Sequence, residues 1–142
     1  MLRTTYSALS PGQFPAFDHY YRKVLGYKPI GDWPQWEAAG TVARGLTDTA
    51  RNGTYVNVTL LQGGIGDGRI CPSYNGTTSY TDIYSAALAG AFNGAEGTLM
   101  IWAKVSAAGV WTDAASRYLV RLRADANNSV HIHCPAVANT LE

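Results

Sequence analysis

Residues 129–134, which read SVHIHC, contain the side chains with the most familiar metal chemistry in this chain. Because side chains alternate along a strand, His131 and His133 are expected on one face and Cys134 on the other. Histidine pairs of this spacing occur in zinc sites, where further ligands come from elsewhere in the chain. The simpler interpretation, which we favour, is two half-exposed strand histidines without a metal.

A second group of chemically capable side chains is the arginine-rich stretch at residues 117–123, RYLVRLR. Strand alternation predicts that Arg117, Arg121 and Arg123 share one face and that Tyr118 lies on the opposite one. Guanidinium groups bind carboxylate, sulfate and phosphate through paired hydrogen bonds, so this face could hold an acidic glycan. The alternative is a solvated sheet face whose charges protect an edge.

Aromatic residues near turns offer a different kind of contact to a sugar. Trp111, Tyr74 and Tyr80 lie in or near such turns, where a sugar ring could stack on them. The competing interpretation is that they pack at the rim of the fold. Together with Arg121 and Arg123, these three aromatic residues are the predicted carbohydrate-binding residues.

Three aspartates in turn-rich sequence could provide oxygen ligands for calcium. These are Asp48, Asp67 and Asp82. The alternative is that each is a solvated turn acid. The sequence therefore makes calcium a candidate cofactor without requiring it.

Catalysis of glycoside hydrolysis requires two carboxylates a few ångströms apart. The glutamates of this chain are Glu37, Glu96 and Glu142, and no E-x-D-x-E pattern occurs. The histidines are not near a nucleophile-elbow motif either. We therefore expect a protein that is not an enzyme.

The elements that must position these side chains are mostly short strands. A helix is expected near residues 15–26, ending at Gly26, and residues 84–92 could form a further helical turn. Alternating or β-branched runs predict strands at residues 55–61, 78–84, 98–105, 117–124 and 129–134. In the run at 98–105, TLMIWAKV, one face is fully apolar and includes Ile101, which predicts a central, buried strand.

Composition limits the class of protein further. The chain has 142 residues, of which 46% are hydrophobic and 15% charged, and this is enough for one domain with one core. A net charge of +1 lacks the basic excess typical of nucleic-acid binding, and the longest apolar run is too short to insert in a membrane. The N-terminus lacks the apolar region of a signal peptide. Whether Cys71 and Cys134 pair stays open.

Four motifs occur in order along the chain: WPQWEAAGTVARGLTDTARNGTY, YNGTTSYTDI, FNGAEGTLMIWAKV and RYLVRLRADANNSVHI. This order resembles the laminin G-like, concanavalin A-like lectin family, in the form found in bacterial surface proteins and tailed-phage virion proteins. The residues that match the family pattern are Trp33, Pro34, Glu37, Gly40, Thr41, Asn52 to Tyr55, Asn75, Gly76, Tyr80, Ile83, Trp102 and Lys104.

The resemblance implies an all-β jelly-roll sandwich over residues 27–142, preceded by an N-terminal arm with a short helix over residues 1–26. It also implies a lectin-like module that binds a glycan or cell-surface polysaccharide on a virion or at the cell surface. The alternative is a structural assembly subunit that binds protein neighbours. Gly45 stands where the family often has an aspartate, so a family-type calcium site is in doubt.

The family's sandwich usually contains more strands than this sequence supplies. We therefore expect the strands between Thr98 and Cys134 to pair with strands of a second chain, or to form a smaller closed sandwich. A homo-oligomer or a larger assembly is the expected state in the first case.

Overall fold

The computed structural model describes residues 22–66, 68–111, 114–123 and 127–134, with only the backbone of Ala108 and Trp111. This part of the chain is mostly antiparallel strands with a few short helices, which confirms the all-β class. The strands are β1 (Val42–Ala43), β2 (Gly53–Val56), β3 (Thr59–Gly63), β4 (Ile70–Ser73), β5 (Tyr80–Asp82), β6 (Arg117–Arg123) and β7 (Ser129–Cys134).

The strands form three small sheets. The first has the order β1-β2-β5, the second pairs β3 with β4, and the third pairs β6 with β7, all antiparallel. A two-stranded sheet is marginally stable alone and needs further packing.

Helices are short and partly where the sequence predicts them. Helix α1 covers residues 22–26 and ends at Gly26 as expected, while residues 15–21 of the predicted helix lie outside the described part. Helix α2 (Ala86–Ala91) begins after Ser85, whose side chain accepts a hydrogen bond from the amide of Leu88. Two 3-10 helices cover Thr49–Arg51 and Ala108–Trp111.

The predicted single strand at residues 55–61 is two strands. Asn57 has a φ of 52°, in the left-handed region that asparagine tolerates better than most residues. The chain therefore leaves the first sheet after Val56 and enters the second at Thr59. Alternation of apolar residues continues through this break, so it gave no signal of it.

The small core of the described residues lies in the first sheet and at the end of β7. The hydrophobic residues buried there are Ala43, Tyr55 and Cys134. Gly53 brings β2 close to β5, since a Cβ at this position would lie only 2.7 Å from the backbone oxygen of Asp82. A larger residue at Gly53 would push the two strands apart.

The prediction of a central strand at residues 98–105 is wrong. The backbone there is in no strand, and Leu99 and Ile101 are 37% and 38% exposed. An alternating sequence becomes a strand only where a neighbour accepts its backbone hydrogen bonds, and no described strand pairs with this segment. The predicted strands at 117–124 and 129–134, by contrast, are confirmed as β6 and β7.

Candidate functional site

The most distinctive arrangement of chemically capable side chains lies on the hairpin of β6 and β7. Tyr118 pairs with His133 and Arg121 pairs with His131, and the register shifts between Tyr118 and Val120. This β-bulge makes Leu119 an extra residue, so the alternation of side chains along β6 changes by one position. Residues directly opposite each other on paired strands share a face.

The bulge corrects the sequence prediction for β6. Arg117 pairs with Cys134 and so lies on the face opposite to His133, whereas Tyr118 lies on the same face as Arg121. Arg123 pairs with Ser129 two residues further along and joins that face. The prediction that Arg117 accompanies the other arginines, with Tyr118 behind them, is therefore wrong. We call the surface formed by Tyr118, Arg121, Arg123, His131 and His133 the hairpin face.

The rings of the hairpin face are in mutual contact. Tyr118 stacks on His133 with centroids 5.0 Å apart, and it meets His131 edge to face at 5.5 Å. The two imidazole centroids are 4.8 Å apart. The guanidinium carbon of Arg121 lies 4.8 Å from the centre of the Tyr118 ring, which is within the range of a cation–π interaction.

Charge on the hairpin has one sign. The sequences of β6 and β7 contain three arginines and two histidines but no aspartate or glutamate. Arg117 is used on the other face, where its guanidinium donates to the carbonyl oxygens of Val110 and Ala115. The hairpin face is therefore locally cationic in a chain whose net charge is only +1.

The two histidines lie on one face, as the predicted zinc site requires. Among the residues that the structure describes, however, no group of three or more His, Cys, Asp and Glu side chains could hold a metal ion. The Nδ1 atom of His131 lies 3.5 Å from the Ser129 hydroxyl, and the Nδ1 atom of His133 is buried without a hydrogen-bond partner. Zinc binding stays a prediction whose further ligands the described chain does not identify.

The candidate calcium ligands have local structural roles. Asp48 caps the 3-10 helix Thr49–Arg51 by accepting a hydrogen bond from the amide of Ala50 at 2.9 Å. Asp82 accepts one from the amide of Tyr84, also at 2.9 Å. Asp67 lies outside the described residues. Calcium therefore stays a prediction as well.

The predicted sugar-stacking tyrosines lie in another part of the chain. Tyr74 follows β4, and its hydroxyl is hydrogen-bonded to Gln35 and, at 2.5 Å, to Thr81. Burial raises the pKa of Tyr74, although its hydrogen bond with Thr81 acts in the opposite direction. Tyr80 lies in β5 and is 54% exposed.

These tyrosines are separated from the hairpin face. The turn that follows Tyr74 reaches the hairpin on the side of Arg117, since a Cβ at Gly76 would lie 2.9 Å from the Arg117 Nε atom. That side is opposite to the one that carries Arg121. The predicted carbohydrate-binding residues therefore fall in at least two places, and the side chain of Trp111 lies outside the described part.

Sequence reasoning missed Tyr118 as a member of the site, because it assumed unbroken alternation along β6. It also missed a second cation–π pair, in which the Arg69 guanidinium lies 4.6 Å from the centre of the Trp36 ring. Residues 36 and 69 belong to different segments, so no local pattern indicates their contact.

A different tyrosine, Tyr55, shows how the fold uses polar groups for structure. Its hydroxyl donates to Glu37 Oε2 at 2.6 Å, and Glu37 Oε1 accepts from the amide of Arg44 at 2.8 Å. Burial raises the pKa of Tyr55 well above its ordinary value, and the hydrogen bond to Glu37 and its negative charge raise it further. Glu37 is thus engaged in holding β2 in place.

No helix in the described residues is both long enough and apolar enough to cross a membrane. Comparisons with protein-family models, with curated proteins and with solved structures found no match to this chain.

Proposed function

We propose that the chain is a non-enzymatic, lectin-like carbohydrate-binding module of a virion or cell-surface protein, and that the hairpin face is its binding surface. The observation that carries this proposal is the grouping of Tyr118, 48% exposed, with Arg121 and two imidazoles on one side of a hairpin. Sugar rings pack their C–H faces against aromatic groups, while their hydroxyls bind charged and imidazole hydrogen-bonding groups.

Binding without catalysis suits the chemistry of this face. Glycoside hydrolysis uses a proton-donating carboxylic acid and a second carboxylate, and β6 and β7 contain neither Asp nor Glu. The concanavalin A-like jelly roll of the laminin G-like type remains our proposal for the complete fold. It is supported by the ordered sequence motifs and by the all-β class.

A glycan array with the wild-type chain and the Tyr118→Ala variant tests the proposal. We expect wild-type binding to a defined set of glycans and its loss in Tyr118→Ala. Tyr84→Ala is the matched control, because Tyr84 is another exposed tyrosine, outside the hairpin. A blank array for the wild-type chain would contradict the proposal.

Running the same array with calcium and with a chelator examines the calcium prediction separately. Binding that requires calcium would support ligands among Asp48, Asp67 and Asp82. Binding that is unchanged by the chelator would show that the glycan contacts do not depend on calcium.

A structural assembly subunit is the second candidate, favoured by a different observation. Apolar side chains between α2 and β6 are exposed, including Phe92 at 48%, Leu99 at 37% and Ile101 at 38%. A neighbouring chain that covered them would remove this apolar surface from water. Size-exclusion chromatography with light scattering distinguishes the candidates: a stable oligomer indifferent to sugar supports assembly, and a sugar-binding monomer supports the lectin-like module.

A further inference from the structure

We propose that the hairpin face selects acidic saccharides, and that Arg121 holds their carboxylate or sulfate group. This inference rests on the proposed carbohydrate-binding function and specifies its ligand class. It is carried by two properties of the face: the sign of its charge and the fixed position of one guanidinium.

The charge of the hairpin favours an anion over a neutral sugar. Arg121 and Arg123 extend from the exposed side of β6, and no acidic residue occurs in either strand. A carboxylate or sulfate brought to this face meets positive charge without competition from a carboxylate of β6 or β7. Since these side chains are exposed, the attraction depends on ionic strength and is weakened by salt.

The position of Arg121 favours paired hydrogen bonds to such a group. Its guanidinium lies over the Tyr118 ring, which restricts a side chain that otherwise has many rotamers. A guanidinium held by stacking still has its in-plane N–H groups to donate, and two parallel N–H donors match a carboxylate or a sulfate edge. Less conformational entropy is then lost when the anion binds.

The same features disfavour a divalent metal as the ligand of this face. Two imidazoles are the only His, Cys, Asp or Glu ligands on its exposed side, and their positively charged neighbour Arg121 opposes a second cation. The imidazoles can instead donate hydrogen bonds to a sugar hydroxyl or to the acidic group. Tyr118 contacts both of them and keeps them beside Arg121.

Isothermal titration with two matched probes tests this inference. The first probe is a galacturonic acid hexamer, and the second is the same hexamer with its carboxyl groups reduced to alcohols. We expect the acidic hexamer to bind at least about tenfold more tightly, the difference that a charge-assisted hydrogen bond provides. Raising the sodium chloride concentration should weaken the acidic hexamer most.

Arg121→Gln should remove most of this preference, with a loss of about tenfold or more for the acidic hexamer. Arg44→Gln is the control, because it removes one exposed positive charge beside β1 and leaves the hairpin unchanged. Its effect should stay within about twofold, as expected for a screened distant charge. Circular dichroism of both variants checks that they are folded.

The remaining outcomes separate the two proposals. Equal binding of the acidic and reduced hexamers would overturn the acidic ligand class and leave carbohydrate binding intact. Unchanged binding by Arg121→Gln would overturn the assigned position. Equally tight binding of polyglutamate of matched charge would overturn selection for a saccharide. If neither these hexamers nor an array of neutral, carboxylated and sulfated glycans binds, the carbohydrate-binding function itself fails.

Discussion

Tyr55 in β2 and Tyr118 in β6 are both strand tyrosines, but they serve different regions of the molecule. Tyr55 is 6% exposed and donates to Glu37, 18 residues away in sequence. Tyr118 is 48% exposed, and the ring contacts found for it lie within its own hairpin. The first tyrosine joins distant segments of the fold, whereas the second leaves much of its surface to solvent.

The neighbourhoods of the two tyrosines differ in the same way. Around Tyr55, the Trp33 indole donates to the carbonyl oxygen of Arg51 at 2.7 Å, and Asn52 accepts from the amide of Gly45 at 2.9 Å. These long-range hydrogen bonds tie residues 33–55 together. On the hairpin face, charged and aromatic groups contact each other at the surface, which is the arrangement expected of groups available to a ligand.

The largest expected effect is the loss of Tyr55. Tyr55→Ala should lower the free energy of unfolding by about 3–5 kcal/mol, as for other buried aromatic residues. Tyr118→Ala should lower it by about 1 kcal/mol or less, because the side chain is half exposed. Urea denaturation followed by circular dichroism measures both. Equal losses in the two variants would contradict the division into a structural and a ligand-binding tyrosine.

Removal of the Glu37 carboxylate should have the next largest effect. Glu37→Ala leaves the buried Tyr55 hydroxyl without its acceptor, which costs about 1–3 kcal/mol. Glu96→Ala, at an exposed position, is the control and should change stability by about 0.5 kcal/mol or less. If Glu37→Ala had no more effect than this control, the hydrogen bond to Tyr55 would not support the fold.

The sequence predicted local features of this molecule better than contacts between segments. The end of α1 at Gly26 and the strands β6 and β7 follow from local signals, namely a glycine stop and alternating side chains. The break at Asn57 and the bulge at Leu119 do not, because residue types on either side fit a continuous strand.

The candidate site shows the consequence of one such local error. Both histidines and two of the arginines were correctly placed on strands, but the bulge alone decides which of their neighbours shares their face. A shift of one residue moves every following side chain to the other side of a strand. Tyr118 therefore entered the site only when the register of β6 and β7 was known.

Alkaline pH should act through Tyr55. Its pKa is raised in the folded protein, so between about pH 10 and that higher value the unfolded chain loses a proton that the folded chain keeps. Stability from this group is complete below about pH 10 and falls above it by up to about 1.4 kcal/mol per pH unit. Tyr55→Phe should remove this part of the slope.

Urea denaturation of wild type and Tyr55→Phe between pH 9 and 11.5 measures the difference. The two curves of stability against pH should be parallel below about pH 10 and converge above it, as wild type loses stability faster. Curves that stay parallel throughout would show that Tyr55 ionises equally in the folded and unfolded chains.

The smallest expected effect concerns Ile101, which the sequence places in a buried strand and the structure leaves 38% exposed. A fully buried isoleucine would cost about 2–5 kcal/mol on truncation to alanine, but in the monomer we expect about 1 kcal/mol. Val42→Ala, at a position that is 46% exposed, is a control of similar size. Thermal denaturation at two protein concentrations about fiftyfold apart adds a further test. If a second copy covers residues 98–105, the destabilisation by Ile101→Ala grows with concentration while that by Val42→Ala does not, since association stabilises only the folded chain. That result would favour the assembly subunit over a monomeric lectin-like module, and a small effect at both concentrations would leave the exposed segment without a role in self-association.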